Sequence, residues 1–175
     1  LNRLSNRESL AMVSYLLGAE TVESGLEEFI LEKTEGIPFF IEEFIRSLTD
    51  LKIIESKDNA FRIAKDIQNL TIPATIRDVI MARIDSLPDA AKELLQTGSV
   101  VEREFSYELI KQVMGFSEKE LLSQLSILRD SELLYERGIY PQSTYIFKHA
   151  LTQEVAYESL LQQKRREIHG RVASA

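Results

Sequence analysis

Few side chains in this chain could do chemistry, and most arrangements that would use them are missing. None of the seven glycines opens a GxxxxGK(S/T) or GxGxxG run, so neither motif can ring a triphosphate with backbone N–H groups, and a stand-alone NTPase is disfavoured. The histidines, His149 and His169, stand 20 positions apart and fall in no HExxH-like ligand spacing. No GxSxG nucleophile elbow is present. The paired carboxylates Glu27-Glu28 and Glu42-Glu43 sit inside helical patterns, where solvated helix faces are the expectation rather than acid–base pairs. Two segments keep a chemical possibility. Gly36-Ile37-Pro38-Phe39-Phe40-Ile41-Glu42-Glu43 combines a flexible glycine, a rigid proline and paired aromatics at a helix start. Phe147-Lys148-His149-Ala150-Leu151 sets a histidine where a strand meets a helix N-terminus; there it can contact an anion gathered by the helix dipole, or cap the helix.

The elements that must position these residues follow from local signals. Ser5 with Glu8 three residues on has capping-box spacing, Leu10, Val13, Leu16 and Leu17 continue at helical period, and Gly18 is the stop. A second helix runs from Ser24 to Gly36, and Pro38 suits the first turn of a third, striped by Phe40, Phe44, Ile45 and Leu48. Lys52–Glu55 and Phe61–Ile63 flank an Asp58-Asn59 turn, which reads as a hairpin. Leu70-Thr71-Ile72-Pro73 is an extended connector and the expected domain boundary. After it the pattern predicts helices over 74–86, 89–101, 105–113 and 117–131, two strands (133–136 and 144–147) around a turn-rich loop, and a final helical region from His149 onward. Three helices, a two-strand ribbon and a helix are the order of a winged helix. The expectation is a mainly α fold: a helical subdomain over 1–70 with a terminal hairpin, then a winged-helix domain over 71–175.

Charge narrows the partners. Lys and Arg number 21 against 28 Asp and Glu, a net charge of −7, the wrong sign for a chain whose main task is coating nucleic acid. The helix that would enter a major groove carries Glu118, Lys119, Glu120, Arg129 and Asp130, with no basic surplus, and the one basic cluster, Lys164-Arg165-Arg166 with Arg171, reads as a solvated face. Cysteine is absent and no apolar run reaches the roughly 20 residues that span a bilayer, so a soluble, cytoplasmic protein is expected. Leu1 in place of Met, and a helical pattern still open at Ala175, lead us to expect a piece of a longer protein.

Taken together, the two chemical segments resemble the STAND group of AAA+-related regulatory ATPases, to which the NB-ARC and NACHT switches belong. Gly36–Glu43, Ile72-Pro73-Ala74-Thr75-Ile76-Arg77-Asp78-Val79-Ile80 and Phe147-Lys148-His149-Ala150-Leu151-Thr152-Gln153-Glu154-Val155-Ala156-Tyr157 look like the predicted ATPase module that accompanies bacterial class III adenylate/guanylate cyclase domains, protein kinases and LuxR-type regulators. The resemblance covers nearly the whole chain and implies a preceding P-loop domain that binds ATP or ADP, an output domain such as a cyclase, and self-association on activation. By that likeness Gly36 and Pro38 form the Gly-x-Pro turn whose proline packs on the adenine ring, and His149 reaches the ADP β-phosphate. Ala150 stands where many relatives carry Asp, and Lys148 is the added candidate for supplying charge. The fragment itself would be no enzyme, would bind no metal and would hold nucleotide only with its P-loop partner. The rival expectations are a winged-helix transcription regulator that binds DNA and a protein-interaction scaffold.

Overall fold

A computed structural model describes residues 3–19, 21–57, 60–64 and 75–175. Among the described residues the protein is mainly helical with two small three-stranded sheets. It divides into two compact units, Leu1–Ala82 and Arg83–Ala175. The connector Leu70–Pro73, the expected boundary at 70/71 and the Asp58-Asn59 turn lie outside the described residues.

The first unit begins with α1 (Asn6–Leu17), followed by β1 (Thr21–Val22), α2 (Ser24–Thr34), α3 (Pro38–Asp50), β2 (Ile54–Lys57) and β3 (Ala60–Ile63), and includes most of α4 (Ile76–Asp85). The Ser5–Glu8 capping box forms as its spacing predicts, and Gly18 ends α1 in the left-handed region. Val13, Leu26, Ile30, Ile41, Phe44, Leu48 and Val79 are fully or almost fully enclosed in its core. Because α3 packs against α1, α2 and β2, it is buried around most of its circumference, and Glu43 is 1% exposed. This corrects the expectation of a solvated carboxylate pair at Glu42-Glu43. Strand β1, which two residues of sequence do not announce, pairs parallel to β3.

The second unit carries α5 (Asp89–Val101), β4 (Glu104–Ser106), α6 (Tyr107–Met114), α7 (Glu118–Asp130), β5 (Leu134–Arg137), β6 (Thr144–Phe147), α8 (Ala150–Glu158) and α9 (Gln162–Ala173). The helix–strand–helix–helix–strand–strand order, with an antiparallel sheet in the order β4-β6-β5, is the winged-helix arrangement. Residues Glu104–Ser106 are a strand, not the helix start that Phe105-Ser106 suggested: Ser106 is the N-cap of α6, its hydroxyl accepting from Leu109 N at 3.2 Å, so the residues just before it remain extended and free to pair. The final helical region is likewise two helices, with Leu161 as the N-cap of α9.

One stretch of backbone occurs twice. In the first unit Leu51, Lys52 and Ile53 donate to Ser47 O, Thr49 O and Leu48 O; in the second Ser131, Glu132 and Leu133 donate to Ile127 O, Arg129 O and Leu128 O. Each residue of the second set stands 80 positions after its counterpart. Lys52 and Glu132 share φ 53°, and the pairs Ile41/Leu121, Ile45/Leu125, Leu48/Leu128, Ile53/Leu133 and Ile54/Leu134 are all buried. The helix–helix–hairpin of α2–α3–β2–β3 is thus repeated by α6–α7–β5–β6. The first strands differ, since β4 runs antiparallel to β6.

Candidate functional site

Gly36 and Pro38 occupy one turn of the first unit. Thr34 and Glu35 close α2, with Glu35 at φ 48°, and Gly36 follows at φ 72°. Two successive positive φ values reverse the chain, and the second falls on the residue with least steric cost. Gly36 is also in tight contact with the N-terminal segment. Leu4 N donates to Gly36 O at 2.8 Å, and a Cβ on Gly36 would run into Leu4 O. The glycine is therefore accounted for within the unit itself. Pro38 is the first residue of α3, behind an Ile37 N-cap that makes no side-chain capping bond. It is half-buried, while Phe40 and Phe44 behind it belong to the core with rings 5.8 Å apart and tilted edge to face. A rigid, partly exposed pyrrolidine offers an apolar face to a flat ligand without needing a donor.

Lys148 and His149 lie together in the second unit, between the end of β6 and the start of α8. His149 is the N-cap of α8 in extended conformation (φ −132°, ψ 142°), and its side chain makes no capping hydrogen bond. Of the two readings of this histidine, capping is therefore removed. Its carbonyl accepts from Thr152 N at 3.1 Å and its Nε2 atom is buried. Lys148 N donates to Leu133 O at 3.0 Å, which ties the junction to the turn after α7. Its side chain is 10% exposed, with Nζ 2.8 Å from Oε2 of Glu132. Gln153 on α8 donates from Nε2 to Ser99 O at 2.8 Å, holding the helix against α5. Beside the same turn, the buried Arg83 donates from Nη2 to Ser131 O at 2.6 Å. Lys148, paired with Glu132, and the His149 imidazole thus share one corner at the first turn of α8. The two pairs, Gly36 with Pro38 and Lys148 with His149, belong to different units.

The face expected for DNA is arranged differently. At the N-terminus of α7, the Tyr140 hydroxyl donates to the Glu118 carboxylate, and Lys111 Nζ stands 3.4 Å from Oε2 of the same residue. The hydroxyl contact and then the ammonium hold the Glu118 carboxyl below its ordinary range. The wing loop is thereby tied to the end of the helix that a groove would receive. At the other end Arg129 contacts Glu136 at 2.9 Å. Burial pushes the Glu136 carboxyl up, but the hydroxyl of Tyr145 and the Arg129 guanidinium, with Ser143 Oγ facing it, bring it net below the usual value. The basic residues of α9 stay at the surface, Arg166 and Arg171 exposed and Lys164 and Arg165 half-buried, and three of them also tie back to the rest of the unit. Arg165 donates to Leu160 O and Glu158 O and covers the Tyr157 ring at 4.6 Å, Lys164 pairs with Glu93 at 3.6 Å and Arg171 reaches Val113 O at 3.3 Å. His169 lies 3.3 Å from the Tyr157 hydroxyl.

Among the described residues no group of three His, Asp or Glu side chains could hold a metal ion, and no helix is long and apolar enough to cross a membrane. The pairing of Lys148 with Glu132 was not legible in the sequence: 16 positions separate the partners. A family model described as a domain of unknown function (DUF8739) matches residues 5–62, about a third of the chain, from the α1 capping box to β3. No curated protein matches the chain.

Proposed function

We propose that this chain is the regulatory part of a STAND-type switch, in which a nucleotide held by a P-loop domain biases the two units between states and so controls an output domain such as an adenylate cyclase. The observation that supports this most is the Lys148–His149 corner: a histidine at a helix N-cap that does not cap the helix, next to a largely enclosed lysine. Such a corner suits a phosphate oxygen, because the dipole, the ammonium and the imidazole all favour the same sign of charge. The half-buried Pro38 is suited to one face of a purine. A few kcal/mol of differential contact suffices to move a two-state element. The chain would act in the cytoplasm, without hydrolase activity of its own, and would hold ATP or ADP firmly only beside the P-loop domain.

In the protein that contains this chain, His149→Ala should raise basal output, because the closed state loses a contact to the β-phosphate. Unchanged output would favour the scaffold reading. Direct DNA binding is the weaker alternative: α7 offers acidic residues at its leading end, and the wing is fastened to that end through Tyr140 and Glu118. Sequence-selective retardation of DNA by the chain at low salt would support that alternative.

A further inference from the structure

The duplicated turn supplies an internal comparison. After α3, Ile53 O accepts from Ala64 N at 2.8 Å; after α7, Leu133 O accepts from Lys148 N at 3.0 Å. The residue just before each acceptor has φ 53°. The first turn carries Lys52 and Ala64 where the second carries Glu132 and Lys148, so the backbone arrangement requires neither member of the ion pair. Nor is the pair an obvious source of stability, since desolvating an ammonium offsets most of what a carboxylate returns, and a small apolar residue often serves as well. Ala64 does so in the first turn. Glu132–Lys148 is therefore an addition to a shared scaffold, beside the histidine at the start of α8.

Building on the anion reading above, we infer that Glu132 is an internal competitor for the anion, its carboxylate holding Lys148 Nζ in the place a diphosphate oxygen would take. Both oxygens use the same charge-assisted contact, so a carboxylate already on Nζ occupies one donor, neutralises the charge and repels an arriving phosphate oxygen. The Glu132 side chain is 44% exposed and that of Lys148 10% exposed, so the carboxylate is the member nearer solvent. The competition lowers the affinity of the corner by the fraction of time in which Glu132 occupies it. It thereby sets how strong an anion, or how close a delivering domain, is needed to trip the switch.

The test is a titration of the 175-residue chain with inorganic pyrophosphate, followed by the amide resonances of residues 148–152. Glu132→Gln keeps the size and an acceptor oxygen but removes the charge. Glu132→Lys reproduces what the first turn already accommodates at Lys52 with the same φ, so it carries the test should the glutamine variant lose its fold. Both should tighten the apparent Kd about fivefold or more, and Lys148→Met should abolish the response. Equal affinities for wild type and both Glu132 variants would overturn the competition while leaving the anion reading intact. No response in any variant, or wild-type affinity in Lys148→Met, would overturn the anion reading and the competition with it.

Discussion

Lys52 and Glu132 adopt the same left-handed backbone conformation, φ 53° in each, and close the same hydrogen-bonded turn at the ends of α3 and α7. Neither is glycine, and an L residue in this region costs roughly 1–2 kcal/mol. The chain accepts that cost twice because the following residue, Ile53 or Leu133, is thereby delivered into a core. Lys52→Gly and Glu132→Gly should each be neutral or stabilising within about 1 kcal/mol, measured by denaturant unfolding. A loss of more than 2 kcal/mol in either would show that the side chain, not the backbone geometry, holds its turn.

Gly36 should tolerate nothing larger. Gly36→Ala adds the positive-φ cost to a collision with Leu4 O, so a loss of about 2 kcal/mol or more is expected. Amide exchange in α1 should accelerate, because the Leu4–Gly36 hydrogen bond is what holds the segment before it. An unchanged melting temperature would contradict this account.

Gly98 makes a similar point in the second unit. It lies inside α5, where alanine is normally the better helix former by about 1 kcal/mol. A Cβ there would run into the ring of Phe105 on β4, so Gly98→Ala should destabilise by roughly 1–3 kcal/mol despite its propensity gain. Combining it with Phe105→Leu should restore part of the loss; a double mutant that is simply additive would show that the two positions do not share the space.

The wing tie can be read by titration. With the Tyr140 hydroxyl removed, as in Tyr140→Phe, the Glu118 carboxyl should move up toward its ordinary 4.5 but stay below it, because Lys111 remains. In the native protein the tie contributes stability above that ordinary value and loses it as pH falls through the depressed folded value. A Glu118 midpoint that is identical in the two proteins would remove Tyr140 as the cause.

The α1 capping box should behave in the same sense. The Ser5 hydroxyl, then the Ser5 backbone N–H, hold the Glu8 carboxyl below 4.5. Its contribution is complete at neutral pH and fades as acid protonates Glu8. Ser5→Ala should cost about 1 kcal/mol at pH 7 and return the Glu8 midpoint toward 4.5; a midpoint that does not move would sink the assignment.

The sequence by itself determined most of the helices, the hairpin strands and the placing of His149 between strand and helix, though not the start of α6 or the break between α8 and α9. Caps, prolines and apolar periodicity act within a few residues: Ser5 on Glu8, Pro38 on the first turn of α3, Ser117 on Glu120 N. Only the tertiary structure decided what depends on distant neighbours. Strands β1 and β4 are too short for a period and exist because β3 and β6 offer them an edge. Glu43 is enclosed because α1, α2 and β2 surround α3. Lys148 meets Glu132 because Leu133 O accepts from Lys148 N and brings the two chain segments side by side. The repeat shows as geometry for the same reason: a shared fold demands buried apolar volume and one left-handed residue at matching positions, and Lys meets that demand as well as Glu.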